Sequence, residues 1–330
     1  MDIWTGRVFQ HAGLFYLPVL LYLSSTACSS PADRARQELT RRGIEPNTES
    51  FNRNVDSGNA EVVALLVDAG IQPRLALRRA ARNGRCEIVE LLLDKGYDPT
   101  GIQAADALSQ SMAHHSEECA RKLREVGADL RARDLRGENL LTLAAREGTP
   151  QWMKELLDLG LSVDEPNRSG ETAAIVAAQA NRADQMEVLI AAETDVNAAD
   201  PDGWRALTYA ARAGHGDVVR QLIEAGAEVN TITRTGWTPL MMAVAEGHAD
   251  IAETLLEAGA SPDISSSAGL SPLILAAQRG DVRIVKALLL AGADPEIRVD
   301  GVNAAWWADS EGDEELAALL GTASPPGEDR

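Results

Sequence analysis

Residues 236–260 read GWTPLMMAVAEGHADIAETLLEAGA. Thirty-three positions earlier, 203–227 read GWRALTYAARAGHGDVVRQLIEAGA, and thirty-three later, 269–293 read GLSPLILAAQRGDVRIVKALLLAGA. Two glycine series keep this period. One opens each line, at Gly137, Gly170, Gly203, Gly236, Gly269 and Gly301, with spacings of 33, 33, 33, 33 and 32. The other closes it, at Gly127, Gly160, Gly226, Gly259 and Gly292, with Glu193 where a further glycine is expected. A fixed period of this length sets a repeat architecture: each unit is one supersecondary element that cannot bury its apolar face alone, and a stack can.

Each line carries two short helical patterns. Leu240, Ala243 and Val244 fall at helical spacing, Gly247-His248 interrupts the run, and Ile251, Ala252, Leu255 and Leu256 form a second apolar stripe. Gly259 suits the left-handed residue that ends a helix. Asp200-Pro201-Asp202-Gly203 signals a tight turn before the next unit. The pattern predicts helix, turn, helix and an extended β-hairpin finger, repeated as an all-α solenoid. Small residues such as Ala210-Ala211, Ala243 and Ala276-Ala277 let the first helices sit close together.

Thr238-Pro239-Leu240, Gly247-His248, Leu255-Leu256 and Ala258-Gly259-Ala260 resemble the motifs of ankyrin repeats, and the likeness extends over roughly 130–321. The Gly170 unit departs from the pattern, with Ala173 and Ala174 for the Pro-Leu pair, Asn181 for Gly and Glu193 for the closing Gly. In the Gly301 unit Trp306-Trp307 enters the first helix. The resemblance implies a concave face lined by fingers and first helices, on which a protein partner binds.

The stack continues N-terminally in reduced form over 34–129. Second-helix patterns end at Gly43, Gly70, Gly96 and Gly127, spaced 27, 26 and 31. The first two gaps are six or seven residues short of a full unit, which predicts both helices kept and the finger lost. Residues 34–43 read as a capping half-unit, DEELAALLG (313–321) as the other cap, and 322–330 as a disordered acidic tail.

Residues 1–27 stand outside the repeat. Leu14–Leu23 is a ten-residue apolar run preceded by Arg7 as the one basic side chain. Spanning a bilayer takes about 20 residues, so the run suits the core of a secretory signal. Leu23-Ser24-Ser25-Thr26-Ala27-Cys28 resembles a bacterial lipobox, with Ser25 where Leu is usual. That resemblance implies cleavage before a lipidated Cys28, a linker over 28–33, and a periplasm-facing lipoprotein. Ser29 after the cysteine favours the outer membrane over the inner. Ordinary signal cleavage, a retained anchor or a misplaced start are the alternatives. Cys86 and Cys119 lie on second helices of neighbouring units at different positions, a placement that favours two separate buried thiols; an oxidising compartment would allow a disulfide.

The net charge of −19 is unevenly distributed. Residues 1–27 carry one acid and one base, residues 28–133 carry 16 of each, and residues 134–330 carry 14 basic and 33 acidic side chains, which accounts for all of it. An acidic stack repels phosphate, which excludes nucleic acid as the expected partner and favours a basic protein. The sign reverses locally at Arg74, Arg78, Arg79, Arg82 and Arg85, with no acid between Asp68 and Glu87. The expected role of this face is pairing with neighbouring acids, or contact with anionic headgroups if Cys28 is lipidated.

No motif for catalysis is present: no phosphate loop, nucleophile elbow or paired-carboxylate context. His114-His115 with Glu117, Glu118 and Cys119 has the residue types of a metal site, but adjacent side chains on a helix diverge by about 100°. Neither enzyme activity, cofactor nor metal is expected. What remains is a surface. The residues after the opening glycines are Glu138, Glu171, Trp204, Trp237, Leu270 and Val302. The last four form an apolar row, with successive indoles about 10 Å apart, and Arg168, Asp202, Arg234 and Asp300 flank it as a polar rim. Trp is enriched where binding energy concentrates; packing of each indole on its own hairpin is the alternative. The expected function is a monomeric module that inhibits, neutralises or scaffolds an envelope protein. A protective or positioning scaffold, or a cytoplasmic or host-directed protein, are the other readings.

Overall fold

The computed structural model describes residues 30–321 except 115 and 135. The expected leader, Cys28 and the acidic tail lie outside the described residues, as does His115. Helix α1 (Pro31–Arg41) stands alone as half a unit. Pairs follow: α2 (Thr48–Ser57) with α3 (Ala60–Asp68), α4 (Ala76–Arg82) with α5 (Cys86–Asp94), and α6 (Ile102–Ala113) with α7 (Glu117–Glu125). Then come α8 (Leu140–Glu147) with α9 (Pro150–Asp158), α10 (Ala173–Gln179) with α11 (Ala183–Ala191), and α12 (Ala206–Ala213) with α13 (Gly216–Glu224). The last are α14 (Pro239–Glu246) with α15 (Ala249–Glu257), α16 (Pro272–Arg279) with α17 (Val282–Leu290), and α18 (Ala304–Glu311) with α19 (Glu314–Leu320).

First helices of successive units pack on one another in one row and second helices in another. One continuous core lies between the rows. In the unit of the quoted stretch it takes Leu240, Ala243 and Val244 from α14 and Ile251, Ala252 and Leu255 from α15, positions picked out by helical spacing, together with Met241, whereas Leu256 is only partly buried at its edge. Ala76, Ala80, Ala104 and Ala107, all fully buried, allow α4 and α6 to approach closely.

Connections from a second helix to the next first helix come in two lengths. Residues 42–47, 69–75 and 95–101 are short links, whereas 126–139, 159–172, 192–205, 225–238 and 258–271 are about twice as long. The N-terminal units therefore keep both helices and lose the finger, as the glycine spacing predicts.

The fingers themselves correct the expected β-hairpins. Among the described residues there are no strands, only isolated bridges Ala199–Arg205 and Val299–Val302. The cause is a side chain standing in for a ladder bond. Asp200 Oδ1 accepts from the backbone N–H of both Asp202 and Trp204, each at 2.9 Å, while Asp200 N–H donates to Trp204 O. Asn167 closes its finger the same way onto Ser169 and Glu171, and Thr233 and Ser266 do so through hydroxyls. These are Asx- and hydroxyl-braced turns, too short to pair as strands. The last finger differs: Asp300 and Gly301 both have positive φ (53° and 80°), and Val299 and Val302 exchange two 3.0 Å bonds. That two-residue primed turn is one residue shorter, which explains the single spacing of 32 in the glycine series.

Gly236 shows why the opening residue is glycine. Its φ is +77°, and a Cβ there would lie 2.7 Å from the Ser267 backbone nitrogen of the next finger. The Gly170 unit carries two of the three non-glycine residues that hold this conformation among the described residues, Asn181 (φ 55°) and Glu193 (φ 59°); a side chain in the left-handed region costs about 1–2 kcal/mol.

First helices of the regular units start with a side-chain cap from Asn139, Thr172, Thr238, Ser271 or Asn303. Arg205 interrupts the series. It has the extended backbone of an N-cap (φ −115°, ψ 166°) but supplies no cap bond to α12, and its buried Nε has no partner. Arg205→Thr is expected to raise stability by about 1 kcal/mol, more than the exposed pair with Glu228 gives up. A higher urea midpoint would bear this out; an unchanged or lower one would count against it.

Second-row turns are tied by a ladder that the glycine pattern does not reveal. Asp164, Asn197, Asn230 and Asp263, at intervals of 33, each accept through a side-chain oxygen from the backbone N–H of Asp195, Glu228, Ser261 and Asp294 in the next unit. Asn197 and Asn230 also donate to the closing carbonyls of Gly226 and Gly259.

The two cysteines require a second correction. Cys86 and Cys119, 33 positions apart in sequence, are joined in a disulfide with Cα atoms 4.8 Å apart. Cys86 is the first residue of α5 and Cys119 the third of α7, and these helices neighbour each other in the second row, so the two-residue offset still brings the Cβ atoms within bonding reach.

Candidate partner-binding face

Successive fingers stack tip to tip. Arg168 N–H donates to Gly137 O, Arg234 N–H to Asp202 O and Ser267 N–H to Thr235 O, each at 3.0 Å. At the equivalent place over Gly170 stands Pro201, which has no N–H, and a Cβ on Gly170 would meet its ring at 2.5 Å. The Pro201 step thus lacks the backbone bond found on either side of it, next to the unit that also carries Asn181 and Glu193.

Side chains after the opening glycines lie down along their own first helices. Glu138 accepts from Thr142 Oγ1 (2.9 Å), Arg146 (3.0 Å) and Asn167 Nδ2 (2.9 Å). Burial pushes its carboxyl up, but the bonds from Asn167 and Thr142 and the Arg146 charge outweigh that and hold it below its ordinary value. Glu171 accepts from Asn167 at 2.9 Å and from Gln179 at 2.7 Å. Trp204 is partly buried, its ring 4.9 Å from that of Tyr209 and 5.4 Å from the Arg212 guanidinium. Tyr209 O–H donates to Asp200 at 2.7 Å; burial, and then that bond, push its phenol well above the ordinary value. Arg212 continues to Glu246 of the next unit at 3.7 Å.

The result is a polar strip across three units, not a free apolar row. Trp237 and Leu270 are partly buried and packed against the core. Val302 is only 6% exposed and sits inside the terminal turn, so it leaves the row. Its finger is the short one, and the residue after the glycine there turns inward to bridge Val299. Arg168, Asp202, Arg234 and Asp300 are all exposed at the finger tips, and Arg234 lies 3.5 Å from Asp202 of the neighbouring finger. Gln179, Tyr209 and Arg212, which complete the strip, were not singled out by the sequence. The signal was there: 146, 179 and 212 are eight residues after 138, 171 and 204, and a side chain laid along a helix reaches that far.

His215 and His248 hold units together. Nε2 of His215 donates to Gln179 O of the preceding unit (3.3 Å) and that of His248 to Arg212 O (3.0 Å), as Arg182 Nε does to Arg146 O (2.8 Å). Among the described residues no group of three or more His, Cys, Asp or Glu side chains is arranged to hold a metal, and no helix is long and apolar enough to cross a membrane.

Family models match where the two-row stack is regular: a model of three ankyrin repeats over 108–200 and again over 185–266, and single ankyrin repeats over 268–300 and 72–101. The chain belongs to the ankyrin repeat family. The match at 72–101 falls on a fingerless unit, α4 with α5, so that reduced unit is an ankyrin repeat as well. A search of curated proteins found no match. Ankyrin repeats are protein–protein interaction modules and are generally non-catalytic, and a protein partner is what this stack implies.

Proposed function

We propose that this ankyrin stack is a non-catalytic module tethered in a bacterial envelope through lipid on Cys28, and that it holds a basic protein partner along its fingered face. The observation that carries the reading is the finger row itself. It presents exposed Arg168, Asp202, Arg234 and Asp300 at its tips, above side chains fixed by hydrogen bonds. A surface whose rotamers are already set loses less entropy on binding. The whole −19 lies in 134–330, the part that bears the fingers, which favours a basic partner and speeds its encounter.

The disulfide supports the compartment. Such bonds persist in oxidising surroundings and are rare in a reducing cytosol, and Cys86–Cys119 joins two structural helices far from any reactive constellation. An outer-membrane lipoprotein facing the periplasm is the location in this account, and a monomer its state. The stack inhibits or neutralises an envelope protein; assaying the captured partner with and without the stack separates this from a scaffold that leaves activity unchanged.

Cys28→Ala is expected to abolish metabolic lipid labelling and move the protein from the membrane fraction to the soluble one. A variant that still sediments with membranes would rule out the lipid tether.

A further inference from the structure

In a chain of net charge −19, one cavity is lined by arginines. It measures about 1040 Å³ and lies between α2 and α4, the first helices of two fingerless units, with Arg74, Arg78, Arg79, Arg82 and Arg85 on its wall. The seven-residue link 69–75 replaces the finger that would otherwise stand here.

Partners within the protein account for only part of the charge. Asp56 is the one carboxylate on the wall. Both its oxygens are occupied, by Arg79 at 2.7 and 2.6 Å and by Asn83 at 2.7 Å. Arg78 lies 3.3 Å from Asp106 of α6, which is 2% exposed. Arg85 donates to the Asp56 carbonyl oxygen at 3.2 and 2.7 Å, so it reaches the Asp56 carboxylate only through space, and that carboxylate is already held by Arg79. Arg74 and Arg82 are exposed and make no bond among the described residues. Among the described residues Arg74 and Arg82 therefore face the cavity without a counter-charge, and Arg85 shares Asp56 with Arg79.

We propose that this cavity is a phosphoryl-binding site. A phosphate ester brings up to about two negative charges and three acceptor oxygens on one centre, which suits converging guanidinium forks better than a single carboxylate does. Leu75, 52% exposed, and Pro73 give an apolar shelf beside the arginines for the organic part of the ligand. The ligand is a soluble phosphate ester or the headgroup of a phospholipid; the cavity recognises the chemistry they share. The inference stands independently of the partner on the fingered face.

The test is calorimetric titration of the full chain, in mild detergent at low ionic strength, with inorganic pyrophosphate. Saturable binding at one site per chain is expected. Arg74→Glu with Arg82→Glu should weaken it about tenfold or more with unchanged circular dichroism, since neither side chain holds a structural bond. Arg220→Glu on α13 should leave it as in the parent. Two further ligands identify the source. Preference for glycerol phosphate, a monoester, indicates a soluble ester; comparable binding of glycerophosphoglycerol, a headgroup without its acyl chains, indicates a lipid. Either leaves the site standing. No saturable heat, equal affinity in the Arg74/Arg82 variant, or tighter binding of an oligoglutamate peptide than of any phosphate would overturn it.

Discussion

Removing the disulfide, by Cys86→Ala with Cys119→Ala or by reduction, is expected to lower the stability of the N-terminal units by about 3–4 kcal/mol, the figure for a closed loop of 33 residues. The size follows from what these units lack. In the regular stack, neighbours are joined by finger tips, by the Asp164–Asn197–Asn230–Asp263 ladder and by the His215 and His248 bonds. The fingerless units keep only scattered ties, such as Arg36 to Ala69 O (3.1 Å), Arg85 to Asp56 O and Lys95 to Asp68. Stability in a solenoid is roughly a sum over units and their interfaces, so the loss should stay local. Hydrogen exchange is expected to speed up over 48–125 while 206–290 changes little. Uniform acceleration across the chain, or none, would show that the disulfide does not substitute for the missing fingers.

The fold was largely legible in the sequence because its cause is periodic. Gly236 needs a left-handed backbone and room for Ser267, and the same need recurs every 33 residues. The spacing of Gly43, Gly70 and Gly96 likewise measures the lost finger directly. The disulfide was not legible, because comparing positions within a unit ignores that α5 and α7 lie side by side. The fingers read as hairpins because Asp-Pro-Asp-Gly signals a turn without saying that the Asp side chain replaces the next ladder bond. The face was legible by place and not by chemistry. Position alone identified Trp204, but its contact with Tyr209 and Arg212 depends on side chains five and eight residues away. Val302 left the row because one finger is a residue shorter, a detail that shows only as the spacing of 32.

Truncating the fingered face should weaken the partner by more than about 2 kcal/mol, the scale of an interfacial hot spot. Trp204 and Arg234 are the pair to test. Trp204 lies outside the core and is fixed by Tyr209 and Arg212, and Arg234 is 71% exposed at the next tip. Trp237 packs against the core, so its loss would mix folding with binding. Trp204→Ala with Arg234→Ala is therefore expected to keep the circular dichroism of the parent and to release a partner captured from the envelope.

That capture is also the most direct measurement of where the protein works. A photo-crosslinking residue is placed at 234 on the fingers, or at 220 on the opposite row of helices, in the tethered protein in its own envelope. The account predicts a discrete protein adduct from 234, lost when Trp204→Ala is added, and none from 220. An adduct from 220 alone, or none from 234, would contradict the fingered face as the binding surface.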